Sequence, residues 1–140
     1  MKQALRLLVS MVVVLVVVVG QSVLAYADDL TRTVLMKKDL EGVAGKEVTV
    51  FLAQYKPGGK SGKHYHPGQE FIYVLSGNGK MEESGKPAVE MKPGTILYFQ
   101  SDPKNPSYVH EATDLGGTEG MKLLVILITE KGQPLAYPAK

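Results

Sequence analysis

The chain has 140 residues and a formal net charge of +2, which is enough for one domain with a modest core and too little for two. Charged residues make up 21% and apolar residues 44%, with no basic tract that would suggest binding to nucleic acid or to an anionic membrane surface. The sequence contains no cysteine, which excludes disulfides and thiol chemistry and leaves nitrogen and oxygen atoms as the available metal ligands.

The first 27 residues have the features of a secretory signal peptide. Lys2 and Arg6 give a positive start, residues 7–19 form an apolar run, and a small-x-small cleavage site ends at Ala27. An uncleaved membrane anchor is the alternative, but polar residues interrupt the run short of the ~20 residues that a span needs. We predict cleavage after Ala27, a periplasmic or secreted protein without membrane association, and a single domain over residues 28–140.

The remainder of the chain predicts short strands separated by turns. The candidate segments are rich in Val, Ile, Thr, Leu, Phe and Tyr, residue types that favour a pleated, half-buried surface, and Gly, Pro and Asn lie between them. Seven or eight such strands indicate an all-β sandwich or closed barrel. The predicted strands are 31–36, 47–55, 71–75, 80–83, 88–91, 95–100 and 122–129.

Three of these segments carry more detailed predictions. The sequence Ser-Gly-Asn-Gly at 76–79 is typical of a tight hairpin between the strands on either side. Alternation in the strand before it points Ile72 and Val74 inward and Tyr73 outward. Segment 122–129 is apolar on both faces, which predicts a central strand covered on each side, although a buried helical turn is the alternative.

Two of the three histidines lie close together in the sequence. His64 and His66 are two residues apart, so on a strand both imidazoles project from the same face. A Pro67-Gly68 turn then allows the chain to fold back and bring Glu70 beside them. Two imidazoles and one carboxylate are a standard ligand set for a divalent transition metal. The alternative is an accidental cluster on a solvated loop.

The residues around this cluster resemble the first conserved motif of the cupin family. Gly58, His64, His66, Glu70 and Gly77 match that motif without a gap over a 20-residue span. The resemblance implies a double-stranded β-helix, also called a jelly-roll barrel, with a metal site in its interior.

His110 is the third histidine, and by itself a lone histidine is more often a surface or core residue than a ligand. A Pro93-Gly94 turn, the predicted strand 95–100 and then His110 follow the order of the second cupin motif. The resemblance therefore implies that His110 is also a ligand. The segment 101–108 is longer than in typical cupins and is either a loop at the barrel mouth or a surface insertion.

Together these residues imply one divalent transition metal bound by His64, His66, Glu70 and His110. Nitrogen and oxygen ligands suit Fe, Mn, Ni, Zn or Cu and do not select among them. A bound ion could polarise a carbonyl, lower the pKa of a water molecule, or bring dioxygen and substrate together. No catalytic acid or base is identified. Five polar residues are candidates for orienting the imidazoles: Gln54, Tyr55, Gln69, Tyr98 and Gln100.

Two functions follow from this interpretation. The first is a metal-dependent enzyme resembling quercetinase-like dioxygenases, acting on a small aromatic or apolar molecule because the predicted interior is apolar apart from the ligands. The second is a non-catalytic periplasmic protein that binds a metal or small ligand. A storage or structural barrel with a vestigial site is disfavoured by the complete ligand set. The resemblance also implies a homodimer that pairs through outward residues such as Phe71 and Tyr73.

Overall fold

A computed structural model describes residues 29–101 and 108–139 of the chain. The predicted signal peptide over residues 1–27 lies outside the described residues, and so do six residues of the loop predicted at 101–108. Those two predictions therefore remain predictions. None of the described residues belongs to a helix long and apolar enough to cross a membrane.

Ten β-strands account for the regular structure of the described residues. All seven predicted strands are present with shifted ends, and three short strands that composition did not indicate are added around the histidines and near the C-terminus. The strands are β1 (Leu30–Asp39), β2 (Lys46–Tyr55), β3 (His64–Tyr65), β4 (Gly68–Ser76), β5 (Gly79–Glu83), β6 (Val89–Met91), β7 (Ile96–Gln100), β8 (His110–Asp114), β9 (Lys122–Glu130) and β10 (Tyr137–Pro138).

The strands form two antiparallel five-stranded sheets. The first sheet has the order β1-β2-β9-β4-β7 and the second has the order β10-β3-β8-β5-β6. The sheets are not joined into a closed barrel by strand pairing within the described residues. This arrangement confirms the all-β prediction and is consistent with a double-stranded β-helix.

Alternating side chains from both sheets form the core. In β2 and β9 every second residue is buried, because the strand period of two turns one set of side chains toward the opposite sheet. Ile72 and Val74 are buried and Tyr73 is 42% exposed, as the alternation in β4 predicts. The buried apolar residues are Phe51, Ala53, Tyr55, Ile72, Val74, Met81, Met91, Ala112, Met121, Leu123, Val125 and Leu127.

The central position predicted for the strand at 122–129 is confirmed, because β9 lies between β2 and β4. Its coverage differs from the prediction. One face of β9 packs on the core, whereas the side chains of the other face lie on the outer side of the first sheet and are only half-buried. The strand register extends this outer face over all five strands in two rows, Tyr98-Phe71-Ile126-Val50-Met36 and Ile96-Tyr73-Leu124-Leu52-Thr33.

The predicted hairpin at 76–79 is wrong. β4 pairs with β7 and β9 in the first sheet, whereas β5 pairs with β6 and β8 in the second sheet. The turn therefore carries the chain from one sheet to the other. Gly77 has φ +79°, and a Cβ atom there would lie 2.5 Å from the Gly120 carbonyl oxygen. Glycine and asparagine identify a tight turn, but they do not specify which strand the next segment pairs with.

The Pro67-Gly68 turn makes the opposite crossing, from β3 in the second sheet to β4 in the first. The Gly68 N–H donates to the His66 carbonyl at 3.0 Å, which closes the turn. A Cβ atom at Gly68 would lie 2.3 Å from the Ile128 carbonyl oxygen, so only glycine allows β4 to start this close to β9. The turn thus places Glu70 opposite the histidines, as predicted.

Asp114 anchors the loop that precedes the histidines. Its side chain is 2% exposed, and Oδ2 accepts hydrogen bonds from the N–H groups of Gly58 at 2.8 Å and Gly116 at 3.1 Å. An asparagine at this position could also accept both bonds through its amide oxygen.

Replacing Asp114 with alanine is expected to destabilise the protein by about 2 kcal/mol, because the Gly58 and Gly116 N–H groups lose a charged acceptor. Asp114→Asn should cost less, because the amide oxygen remains. Urea unfolding of the wild type and both variants, prepared in the same metal-bound state, measures the difference. Equal midpoints for wild type and Asp114→Ala would contradict this role.

Candidate metal centre

Four side chains from three strands and one turn converge between the sheets. His64 lies on β3, His66 follows that strand directly, His110 lies on β8, and Glu70 lies on β4 of the opposite sheet. β3 and β8 pair with His64 opposite His110, so the two imidazoles project side by side. All four side chains are buried, with no residue more than 7% exposed.

The three histidines are positioned to bind a metal ion. One nitrogen from each of His64, His66 and His110 lies within 4.8 Å of the others. The Nε2 atoms of His64 and His66 are 3.1 Å apart, and the His64 and His110 rings have centroids 4.6 Å apart in an edge-on arrangement. The structure thus brings together the three histidines that the sequence proposed as ligands.

Glu70 lies against two of these imidazoles. Its Oε1 is 3.1 Å from His66 Nε2, and its Oε2 is 3.5 Å from His110 Nε2. Oε2 is buried and has no hydrogen-bond partner among the described residues. The carboxylate is near the three histidines but is not one of the mutually close set, so its role as a fourth ligand remains a prediction.

Backbone carbonyl groups fix the orientation of two imidazoles. Nδ1 of His64 donates to the Gly62 carbonyl at 2.8 Å, and Nδ1 of His66 donates to the Leu135 carbonyl. Because Nδ1 carries the proton in each ring, the Nε2 atom of each carries an unshared electron pair. Nδ1 of His110 has no hydrogen-bond partner among the described residues. Against the larger lowering effect of burial, the nearby Tyr108 backbone raises the pKa of His110.

These orientations make the centre suited to a cation. The two Nε2 electron pairs of His64 and His66 face each other at 3.1 Å, and two acceptors at that distance repel unless a positive species lies beside both. The unpaired Glu70 oxygen adds an anionic acceptor at the same place. Imidazole nitrogen and carboxylate oxygen fit a divalent transition ion, so the residues present match the cofactor that the sequence implies.

Burial keeps the imidazoles neutral. It lowers the pKa of His66 to about 2 and of His110 to about 3, with the neighbouring His64 lowering both further, and it also lowers the pKa of His64. Burial raises the pKa of Glu70 to about 8, against the lowering effect of Arg32. Without metal at pH 7, Glu70 is therefore protonated and can donate to the bare Nε2 of His66.

The space between these residues is small. The cavity that the four side chains border has a volume of about 20 Å³, which holds a single ion or water molecule and no organic substrate. Its other walls are largely apolar, as predicted, with Phe51, Ile72 and Val125 among them.

Two polar residues also line this cavity. Tyr55 was a predicted orienting residue, and burial raises the pKa of its hydroxyl, which also bonds to Ser61. Arg32 was not predicted. It lies opposite buried Ala53 in the β1–β2 register, so its side chain is on the inner face of the sheet. Leu30 and Arg32 are two residues apart in β1, so they lie on the same face of the strand, and this spacing was the sequence signal for Arg32.

The remaining candidates for orienting the imidazoles lie elsewhere. Gln54, Tyr98 and Gln100 are exposed, and Gln69 is half-buried on the outer side of the first sheet. The Tyr98 hydroxyl donates to the Gln100 side chain at 3.2 Å, away from the centre. The Gly62 and Leu135 carbonyls orient the imidazoles instead of these side chains. Because every residue has a backbone carbonyl, the sequence could not identify them.

The sequence match now decides the family. Residues 51–127, more than half of the chain, match the family model described as a cupin domain. The chain belongs to the cupin family. The matched residues include all four side chains of the metal centre. No curated protein is significantly similar to this cupin in sequence.

Several solved structures share its fold. The DMSP lyase DddQ from Ruegeria pomeroyi has a TM-score of 0.59 at 18% identity, over 81% of this chain and 53% of the lyase. A cupin 2 domain-containing protein from Halorhodospira halophila has a TM-score of 0.57 at 15% identity, over 81% of this chain and 72% of the other protein. A cupin-like protein from Thermotoga maritima has a TM-score of 0.50 at 27% identity, over 79% of this chain and 75% of the other protein. This cupin spans about half the length of the lyase, and the similarities concern the fold.

Metal binding is expected to release a proton from Glu70. At pH 7, a carboxyl group with a pKa of about 8 is about 90% protonated, so ligation should release close to one proton, falling toward zero above pH 8. The neutral histidines should release none. Calorimetric titration with Zn²⁺ in buffers of different ionisation enthalpy measures the number released.

The Glu70→Gln variant is the matched control, since it keeps the shape and removes the titrating group. It should release about one proton fewer than the wild type at pH 7. Equal proton release from the two proteins would mean that Glu70 does not ligate the ion.

Proposed function

We propose that this cupin is an exported metal-dependent enzyme of the dioxygenase type that acts on a small aromatic or apolar molecule. The observation that carries the proposal is the pair of bare Nε2 atoms held 3.1 Å apart in a buried site, with Glu70 and His110 beside them. Export rests on the signal-peptide features of residues 1–27.

The ion would be held by His64, His66 and His110, with Glu70 as the fourth ligand. Three neutral imidazoles and one carboxylate leave a divalent ion with a net charge of +1, and it would supply Lewis acidity or, for a redox-active metal, a site for dioxygen. The chain supplies orientation through the Gly62 and Leu135 carbonyls.

The protein also supplies groups that hold or move protons. Glu70, whose pKa is raised to about 8, can retain or release a proton near neutral pH. Tyr55 keeps its hydroxyl proton because burial raises its pKa, so its hydroxyl can serve as a hydrogen-bond donor at the cavity that it lines. The apolar cavity walls exclude bulk water from these groups.

A non-catalytic metal-binding protein is the second candidate. The observation that favours it is the small size of the central cavity, about 20 Å³, which admits an ion and leaves the substrate outside. The two candidates share the metal centre and differ in whether a second molecule reacts there.

Metal addition is expected to stabilise the purified mature protein. At a free metal concentration of one hundred times Kd the gain is about 2.7 kcal/mol, which raises Tm by roughly 10 °C for a domain of this size. Elemental analysis and thermal melts with added Fe²⁺, Mn²⁺, Ni²⁺, Zn²⁺ and Cu²⁺ provide the measurement.

His66→Ala should lose this metal-dependent shift, whereas Gln54→Ala, an exposed change away from the centre, should keep it. Absence of both bound metal and any shift in the wild type would overturn both candidate functions.

Oxygen uptake separates the enzyme from the binder. With the identified metal bound, the wild type should consume oxygen in the presence of at least one compound in a panel of flavonols and phenols, and the His64→Ala/His66→Ala double variant should not. Uptake unchanged in the double variant would rule out the dioxygenase. Metal binding without uptake on any compound would favour the binding protein.

We further propose that the protein is a homodimer in which the outer faces of the first sheets pack together. The two rows of side chains described above contain no charged residue, and Phe71, Tyr73, Ile96 and Tyr98 are 37% to 68% exposed. Five strands at ~4.8 Å spacing make this continuous uncharged face about 24 Å wide. A second copy presents the same uncharged face, so the two match by symmetry.

Tyr73→Lys is expected to convert the dimer to a monomer, because it places a charge in the middle of the apolar face. Leu115→Lys, a change at an exposed apolar residue outside this face, should leave the dimer intact. Light scattering coupled to size-exclusion chromatography gives the mass of each species. A monomeric wild type would contradict the proposed dimer.

A further inference from the structure

A cleft next to the metal centre is large enough for a small organic molecule. It has a volume of about 400 Å³, within the usual range for ligand pockets, and His64 and Arg32 line both this cleft and the central cavity. We call it the Arg32 cleft. A molecule in it would lie beside His64 without entering the 20 Å³ cavity that holds the ion.

Arg32 is a cation without an anionic partner in the described part of the chain. Within residues 29–101 and 108–139, no carboxylate oxygen lies within 4.0 Å of its guanidinium group, and that group makes no side-chain hydrogen bond there. Six of the other eleven described lysine and arginine side chains do have a carboxylate within 4.0 Å, as Lys37 does with Glu47 at 2.9 Å. The donors of Arg32 are therefore available to a ligand.

The rest of the cleft combines a second cation with apolar groups. Lys63 lies next to His64 in the lining, which also includes Ala136, Pro138 and Ala139 from the C-terminal segment. The lining includes no acidic residue. Such a lining suits a molecule with a negative group at one end and an apolar body.

A second cleft near the centre has a different lining. Its volume is about 340 Å³, and it borders the centre at His110. Its charged lining residues are Lys63 and three glutamates, of which Glu82 and Glu83 are paired with Lys80 and Lys86. The Arg32 cleft has two cations and no carboxylate in its lining, so it suits an anion better, because unlike charges attract at short range.

We propose that the Arg32 cleft binds a small organic acid, with its carboxylate on the Arg32 guanidinium and its apolar body against the C-terminal segment. Arginine presents paired N–H donors that match the two oxygens of a carboxylate. The acid then lies beside His64, next to the metal. This inference rests on the proposed function and narrows its substrate class from small apolar or aromatic molecules to those that carry one carboxylate.

The test compares a carboxylate with its neutral analogue. Benzoate and benzamide have similar shapes and differ in charge, and ¹H–¹⁵N NMR titrations give the Kd of each for the metal-free and Zn²⁺-loaded protein. Benzoate should bind the wild type at least about tenfold more tightly than benzamide, and its shifts should concentrate at Lys63, His64 and Ala136.

Variants then assign the preference to Arg32. Arg32→Met should weaken benzoate binding at least about tenfold and leave benzamide binding unchanged, while Arg32→Lys should restore part of the loss because it keeps the charge without the paired donors. Lys38→Met, a charge removal on the same strand away from the cleft, should have no effect. Thermal melts establish that each variant is folded.

The outcomes separate this inference from the metal proposal. Equal benzoate affinity in wild type and Arg32→Met, in both the metal-free and the Zn²⁺-loaded protein, would overturn the inference. If Zn²⁺ still binds in that case, the proposed metal centre stands. Failure of Zn²⁺ to bind, with Arg32-dependent benzoate binding retained in the metal-free protein, would overturn the metal-dependent function and support the cleft. Binding of benzoate and benzamide with equal affinity to the wild type would also overturn the inference.

Discussion

The close approach of imidazole nitrogens inside an apolar core is the constraint on which this structure depends. His64 and His66 place two electron pairs 3.1 Å apart, and Glu70 and His110 complete a buried polar cluster that water cannot reach in bulk. Burying such groups without partners costs about 1–3 kcal/mol each, and a bound cation would offset much of that cost. The fold therefore keeps a buried cluster of acceptors that one bound cation would satisfy together.

The surrounding structure holds this site from both sheets. The Pro67-Gly68 turn crosses between the sheets and brings Glu70 over the histidines, while the β3–β8 register sets His64 opposite His110. The C-terminal segment contributes through the Leu135 carbonyl, which orients His66, and its residues also wall the Arg32 cleft. One segment thus connects the geometry of the metal centre with the surface that a ligand would approach.

Charge is distributed unevenly around a nearly neutral protein. Arg32 has no described anionic partner on one side of the centre, whereas near His110 three glutamates line a second cleft and two of them pair with lysines. With a divalent ion the centre itself carries about one positive charge, so the Arg32 side attracts anions over short distances even though the whole surface does not. The outer face of the first sheet is a separate feature, because its two uncharged rows lie on the side of the sheet away from the metal.

Seven of the ten described strands, and the grouping of the three histidines with the carboxylate, follow from the sequence alone, because strand alternation and motif spacing are local properties of each segment. The sequence also indicated the turn at 76–79 but not its partner strand, since pairing depends on long-range packing that placed β5 in the other sheet. The orientation of the imidazoles arises only in the folded protein, because the Gly62 and Leu135 carbonyls that set it are backbone groups that every residue has. Arg32 was likewise found only in the fold, since its place beside His64 arises from the pairing of β1 with β2 and the approach of the opposite sheet.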